Sequence, residues 1–470
     1  MSMLIVADDL SGAADCAIGF ANAGRRTVVA LGADEAVEAA HDAAAGRLAV
    51  IALDTDSRRL APADAASRAA QAWRAFGGAQ AASAGGTSRR ASQRRLYKKI
   101  DSTLRGNWVA EVAALQPLAG LAIVAPAFPA TGRTVRDGRV FVRGVPLGET
   151  ETWQLEHAGK TADLQPMLEE AGLRTAQLAV ERMRELHSGL LAQSIAEQIR
   201  AGVQALIVDA QNEADLNLLA RATLALGDAF FWVGSGGLAR ELAALPDLFG
   251  DDAPAPVAPT RREGPILTLV GSLSAVSGAQ CALLRERTGM AELIVPPAVL
   301  RDLERHPDST QWQAAIGVPL AAGNDLLVRI GRDDAFDPSE GAHLSMALAA
   351  LVEPHVGHLA GLIATGGETA RAMLGRAGIG SLELLSEVEP GVAVAQPSDE
   401  GRQLTVVTKA GAFGSEHALY GAWLHLRGAQ QAPRPGDEPG ARAQTDFQSA
   451  ARAGRVQPTN SPLNGSIRKP

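Results

Sequence analysis

Leu4-Ile5-Val6-Ala7-Asp8-Asp9-Leu10-Ser11-Gly12-Ala13-Ala14-Asp15 is a four-residue apolar run that breaks into acids, a hydroxyl and a glycine before an alanine-rich stretch. An unbroken apolar run suits a strand buried on both faces, and the stretch after it suits a helix. A strand that turns into a helix through a polar corner is the first unit of a parallel sheet with crossover helices. The same alternation predicts strands near Leu4–Ala7, Thr27–Leu31, Leu48–Leu53, Leu121–Ala125, Ala205–Val208 and Phe230–Val233. Helices are predicted near Gly12–Ala23, Ala63–Ala75, Val109–Leu115, Ser188–Ala201 and Glu213–Leu226. The fold class is α/β.

A second series follows, with strands near Ile266–Val270, Leu293–Val295, Leu326–Ile330, Gly361–Ala364, Val392–Ala395 and Leu404–Thr408. Its helices are predicted near Ala275–Arg287, Glu340–Val352, Thr369–Arg376 and Ser415–Arg427. Prolines and mixed charges at 249–264 read as a linker, so the expected organisation is two domains, 1–248 and 265–428, each a mostly parallel sheet flanked by helices. From 429 to 470 the chain lacks apolar periodicity and is expected to be disordered, and Gly77–Gln93 reads as a flexible insertion for the same reason.

The 470 residues carry 44 Lys plus Arg against 52 Asp plus Glu, a net charge of −8 that gives no global attraction to nucleic acid or anionic membranes. Aromatic content of 4% leaves little for base stacking, and the longest uncharged stretches are broken by Pro or by Gly and Ser, so neither nucleic acid nor membrane is an expected partner. Self-association into a homo-oligomer stays open. Cys16 and Cys281 match no metal or redox spacing and fit reduced packing thiols of a cytoplasmic protein.

Asp8 and Asp9 fall at the carboxyl end of a predicted parallel strand, where open α/β sheets bind ligands. A helix N-cap needs only one acid, so the pair points to a general base or a cation contact. Asp54-Thr55-Asp56-Ser57-Arg58 repeats that chemistry directly after the predicted strand Leu48–Leu53, and Tyr97-Lys98-Lys99-Ile100-Asp101-Ser102-Thr103-Leu104-Arg105-Gly106-Asn107 adds cations, an acid and hydroxyls. An exposed polar loop is the plain alternative for the last segment. Together the clusters describe a pocket for a small polyhydroxylated anion, with Asp9 and Asp101 as candidate bases and Asp8, Asp54, Arg58, Lys99, Ser102 and Arg105 as candidate substrate ligands.

Gly159-Lys160-Thr161 lacks the upstream glycine and strand of a phosphate loop. Gly234-Ser235-Gly236-Gly237-Leu238-Ala239 fits a dinucleotide fingerprint, but no acid-tipped strand follows at the required distance, and a helix start that closes the domain explains it better. In the second series, Gly366-Gly367-Glu368-Thr369, Lys409-Ala410-Gly411 and Gly271-Ser272-Leu273-Ser274 each follow a predicted strand. One glycine turn says little. Three at strand ends favour a nucleotide-phosphate site, with Ser272, Ser274, Gly366, Gly367, Glu368, Thr369, Lys409 and Gly411 as candidates. Glu353, His355 and His358 fall at a helix end with no third ligand type nearby, so metal residues stay unassigned.

The blocks ADDLSGAAD, DTDSR, KKIDSTLRGN, APAFPATGRTVRDGRVFVRGVPL, VGSLS, ATGGETA and TKAGAFG resemble, in order over residues 1–427, the four-carbon acid sugar kinase family. The resemblance implies a tetronate-binding N-terminal domain, an ATP-binding C-terminal domain, magnesium, and phosphoryl transfer to the terminal hydroxyl of the acid. Ser11 stands where Thr is usual, Ala14 where Asn is frequent, and Ala410 where Ser is usual, which removes one phosphate contact. The region after Leu147 lacks the paired histidines and the T-P-M-T-D-S run of members acting on 3-oxo-tetronates, so the sequence is closer in pattern to D-threonate and D-erythronate kinases, with D-threonate preferred. The rival readings are an NAD(P)-dependent sugar-acid dehydrogenase and a non-catalytic sensor. Because acceptor chemistry precedes the linker and donor chemistry follows it, the two sites are expected to meet by closure.

Overall fold

The computed structural model describes residues 2–83, 94–249 and 262–428, except 152, 155–158, 336, 338, 339, 400 and 412. The predicted linker and tail therefore lie largely or wholly outside the described residues. The insertion expected at 77–93 is partly helix, since the helix Pro62–Ser83 continues through Gly77 and Gly78; the remainder lies outside.

The first half contributes β1 (Ser2–Ala7), β2 (Thr27–Ala30), β3 (Val50–Asp54), β4 (Arg94–Lys99), β5 (Leu121–Ala125), β6 (Arg133–Arg136), β7 (Arg139–Val142), β8 (Val145–Pro146), β9 (Thr175–Leu178), β10 (Ala205–Val208) and β11 (Phe230–Gly234). The second contributes β12 (Ile266–Val270), β13 (Ala291–Val295), β14 (Leu326–Ile330), β15 (Gly361–Thr365), β16 (Ser381–Glu389), β17 (Val392–Pro397) and β18 (Thr405–Lys409). All but β6, β7 and β8 join one sheet of 15 strands, ordered β13-β14-β12-β15-β18-β17-β16-β2-β3-β1-β4-β11-β5-β10-β9. The first-half strands of this sheet are all parallel, as are β13, β14, β12, β15 and β18, whereas β17 and β16 run antiparallel. The β6–β8 strands form a separate antiparallel hairpin sheet.

β16 joins the halves by pairing antiparallel with β2, Leu382 opposite Val29. Leu382 and Leu384 of β16 are 1% exposed and belong to the same apolar core as β1, each contributing about 1.5–3 kcal/mol by burial. The charged residues of this strand are used at the same seam. Glu383 accepts two bonds from Arg26 at 3.1 Å, and Glu387 pairs with Arg240 at 2.5 Å.

Strand order decides where ligands bind. From β1 the chain moves to β2 on one side, and from β4 it moves to β5 on the other, so the adjacent carboxyl ends of β1 and β4 flank a switch point. The second half repeats the arrangement at β12 and β15, which are neighbours with connections leaving in opposite directions.

Candidate active site

β1 ends at Asp8 and Asp9, and Asp9 caps the helix Leu10–Asn22 by accepting from the Gly12 amide at 3.0 Å. Arg58, carried by the loop after β3, donates to Asp8 at 2.8 and 3.0 Å and to Asp9 at 3.0 Å, and lies 3.8 Å from Asp101. It is thus the common counter-ion of three acids. Burial alone would raise the Asp8 pKa; the Arg58 guanidinium, with Lys98 and Lys99, outweighs it and holds the carboxyl below its usual value. A Cβ on Gly12 would stand 2.8 Å from the Lys99 ammonium and closer still to Asp9, so a side chain there would displace both charged groups.

The loop after β4 supplies Asp101, Ser102 and Arg105. Asp101 accepts from the Thr103 amide at 2.7 Å and hydroxyl at 2.5 Å, and from Arg105 at 2.6 and 3.2 Å. Burial opposes its charge, but Arg105 and Arg58 dominate and keep the carboxyl well below the usual carboxylate range. Leu104 inside this loop holds φ at 59° and Asp56 in the neighbouring loop 47°, left-handed values that non-glycine residues adopt at a cost and that cluster at ligand sites. Lys98 is spent beneath the site, paired with Glu111 at 2.9 Å, while Glu111 also accepts from Ser57 at 2.7 Å. Asn107 donates to the Ser57 and Leu60 carbonyls at 3.0 and 2.9 Å, so both acid-bearing loops rest on one buried polar network.

In the second half, Gly366 (φ 97°) follows β15 and opens the helix Gly367–Arg376. The Ser272, Ser274 and Gly411 turns converge on it. Ser272 and Ser274 hydroxyls lie 3.1 Å apart, Ser274 caps the helix Ala275–Thr288, and Ser277 donates to the Gly411 carbonyl at 2.8 Å. Thr369 is buried, its hydroxyl 3.0 Å from that of Ser345. Lys409 is fully buried and its ammonium donates to the carbonyls of Ala410, Gly411 and Phe413 at 2.9, 2.9 and 3.0 Å. It braces the turn from beneath, and burial pushes its pKa down to about 8.

The two groups of candidates meet. A Cβ on Gly367 would stand 3.2 Å from the Ser11 hydroxyl and 3.3 Å from Asp9 Oδ2, so the start of the helix Gly367–Arg376 faces the Asp9 corner of the first half. Ser11 Oγ is buried with no hydrogen-bond partner, an orphan aimed at the seam. Glu368 pairs with Arg59 at 2.6 Å across the same seam, and burial raises its pKa. Asp54, predicted as a substrate ligand, has its side chain fully covered and pairs with Arg371, with burial pushing its pKa up to about 7.

The glycines of Gly234–Ala239 are filled by protein. A Cβ on Gly236 would stand 2.6 Å from Asp15 Oδ2, and one on Gly237 3.0 Å from the Phe128 Cα, which leaves no room for a pyrophosphate. His355 meets the Gln313 carbonyl at 3.1 Å, and Glu353 pairs with Arg376 at 3.1 Å.

Sequence reasoning missed Arg133, whose charge interacts with Asp101, Arg143 and Arg105, and Arg371. The Asp137-Gly138 turn between alternating valines marks the hairpin that carries Arg133 and Arg143 and was the available signal.

Fold and site together define an α/β protein with a cluster of paired acids and basic side chains at the strand ends of one half and glycine-rich turns at the strand ends of the other. Residues 3–242 match the model of a sugar-binding N-terminal domain, and residues 267–419 that of a nucleotide-binding C-terminal domain. The chain belongs to the four-carbon acid sugar kinase family. It is 56% identical to a D-threonate kinase of Cupriavidus necator over 90% of this chain and 97% of that one. It is 35% identical to a D-threonate kinase of Bordetella bronchiseptica over the same shares, 90% and 97%. A solved structure from Salmonella typhimurium shares the fold, with a TM-score of 0.71 at 21% identity over 91% of this chain and all of that one.

Proposed function

We propose that this chain is an ATP-dependent kinase that phosphorylates the terminal 4-hydroxyl of D-threonate. The observation that carries the reading is the approach of the Gly366–Gly367 turn to Asp9 and Ser11, which brings a helix N-terminus suited to phosphate within reach of an acid suited to a hydroxyl proton. D-threonate is preferred over D-erythronate and 3-oxo-tetronate because the two relatives described above carry that name.

In this reading Asp9 orients and deprotonates the attacking hydroxyl. Asp101 is too strongly held as an anion to serve as base and instead fixes Arg105, which with Lys99 and Ser102 receives the acid's carboxylate and hydroxyls. Asp8 and Arg58 set the charge balance around Asp9, and Asp54 anchors the seam. The amides of Gly366, Gly367 and Gly411 and the hydroxyls of Ser272, Ser274 and Thr369 receive phosphate oxygens. Catalysis is then chiefly alignment and charge stabilisation.

Magnesium fits the seam. Asp9, Glu368 and the orphaned Ser11 hydroxyl are hard oxygen donors, and magnesium usually takes one or two carboxylates beside phosphate oxygens. When bound it would neutralise phosphate charge. Among the described residues no helix is long and apolar enough to cross a membrane.

An ADP-release assay over a panel of tetronates, with NAD(P)H absorbance followed in parallel, tests the function. D-threonate should give the highest kcat/KM. Absence of ADP release with every acid, or reduction of a nicotinamide cofactor instead, refutes the reading.

A further inference from the structure

Arg133 opens β6, on the hairpin that follows β5, and none of the roles above uses it. Its guanidinium lies 5.5 Å from the centroid of the Phe413 ring, and Phe413 belongs to the Lys409–Gly414 turn of the other half. A cation of the acceptor half therefore rests on the donor half's phosphate turn. Burial works against its charge, which Asp101 attracts and Arg143 and Arg105 oppose.

The hydrogen bonding of the group is incomplete. One terminal nitrogen donates to the Thr131 carbonyl, which fixes the plane of the guanidinium, but the buried Nε has no partner. A buried charged donor without an acceptor is unfavourable, and a ligand oxygen is the acceptor such a site lacks. The mounting is stiff. Val135 and Ala210 exchange backbone bonds of 2.8 and 3.1 Å, and Asp209 accepts from the Asp137 and Gly138 amides at 2.8 and 3.0 Å, so the hairpin is fixed to the end of β10.

We propose that Arg133 is a catalytic residue whose Nε–H, held beside the Phe413 ring, contacts an equatorial oxygen of the phosphoryl group in transit. The inference rests on the kinase reading. As the terminal oxygen of the acid bonds to the γ-phosphorus, the bond to the ADP oxygen breaks and ADP leaves with that electron pair; the hydroxyl proton passes to Asp9. Charge spreads over the equatorial oxygens during this exchange, and a fixed guanidinium there stabilises the transition state more than either bound substrate.

The test compares Arg133→Ala and Arg133→Lys with the wild-type enzyme on ATP and D-threonate. Loss of one preorganised donor should lower kcat by about 10²–10³-fold, with both KM values within about threefold. Added guanidinium should restore part of the Arg133→Ala turnover and leave the wild type unchanged, a response that a packing role would not give. ADP with aluminium fluoride and D-threonate, which mimics the transferring group, should bind Arg133→Ala at least about tenfold more weakly than wild type. If the alanine variant does not fold, Arg133→Lys decides by the same split between kcat and KM. A kcat within about threefold of wild type overturns the inference, and so does a loss confined to the D-threonate KM, which would make Arg133 a carboxylate anchor. A wild-type enzyme inert on every tetronate overturns the kinase reading and this inference with it; an active wild type with an unaffected Arg133→Ala overturns this inference alone.

Discussion

Arg371, on the donor-side helix Gly367–Arg376, forms an ion pair with the fully covered carboxylate of Asp54, and a second with Asp56 at 3.2 Å. The pair ties the helix that opens at the Gly366–Gly367 turn to the loop that carries Arg58. Burial pushes the Asp54 pKa up to about 7, with Arg371 pulling it back and Asp9 adding to the rise. A raised folded-state value favours the folded form fully below the unfolded value of 3.8, and that contribution is lost as pH rises through about 7. Relative to Asp54→Asn, the wild type should lose on the order of 1–3 kcal/mol of stability between pH 4 and 7, read from urea midpoints. Arg371→Met removes the group that opposes the rise and should steepen the loss. A difference that does not change with pH contradicts this account of Asp54.

Asp9 and Asp101 should separate kinetically. Asp9→Asn removes the proton acceptor and should lower kcat by about 10²–10⁴-fold with a modest change in KM. Asp101→Asn weakens the hold on Arg105 and should raise the tetronate KM by about tenfold to a hundredfold while kcat falls less. Since Asp101 is held far below the usual range, its ionisation should leave no inflection in the kcat profile at working pH. Equal kcat losses in both variants, at unchanged KM, would contradict the division of roles.

β1, β5 and β12 are legible in the sequence because their residues are almost all apolar on both faces, so no period is needed to find them. β4 is not. Arg94-Arg95-Leu96-Tyr97-Lys98-Lys99 reads as a polar loop, yet it lies centrally between β1 and β11 because Lys98 is neutralised by Glu111 and Arg95 lies over the Phe230 and Trp232 rings, contacts distant in sequence. β16 hides for a similar reason: Glu383 and Glu387 look solvent-seeking until Arg26 and Arg240 of the first half are placed opposite them. Local chemistry at strand ends was readable, so Asp8, Asp9, Gly366 and Gly367 could be singled out. That Gly367 faces Asp9, and that Lys409 is turned inward onto carbonyls, depends on how loops from separate strands meet, which residue types alone do not encode.

Gly411→Val tests the donor turns. A Cβ at Gly411 would already meet the Ser272 side chain, its Cβ 2.8 Å away, so the larger residue displaces Ser272. Overpacking of ~1.4 kcal/mol corresponds to roughly a tenfold rise in ATP KM, with tetronate affinity measured by calorimetry little changed. Unchanged ATP kinetics in a folded variant would remove this turn from the nucleotide site. Gly367→Val should affect both substrates, since its side chain would enter the space beside Ser11 and Asp9.

Lys409 should give the Lys409–Gly414 turn, assigned above to the nucleotide, a pH dependence. Its folded pKa of about 8 lies below the ordinary lysine value of 10.5, so the burial penalty on its charge is relieved as pH rises between those values and global stability gains. The neutral amine has one donor fewer for the three carbonyls, and the turn loosens. ATP KM should therefore climb above about pH 8 while tetronate KM does not, and Lys409→Met should abolish that climb and raise ATP KM at all pH values. A wild-type ATP KM flat from pH 7 to 9.5 would contradict the bracing role.

The central claim is that the acid is held by its carboxylate at the Arg105 side, with its far end presented to Asp9 beneath the Gly367 turn. The site of phosphorylation tests this most directly. Phosphorus-31 NMR of the product formed from ATP and D-threonate, read with its proton couplings, should show a phosphomonoester coupled to the two protons of C4. A phosphate on C2 or C3, or an acyl phosphate on the carboxylate, would mean that the acid binds the other way round and would contradict the account.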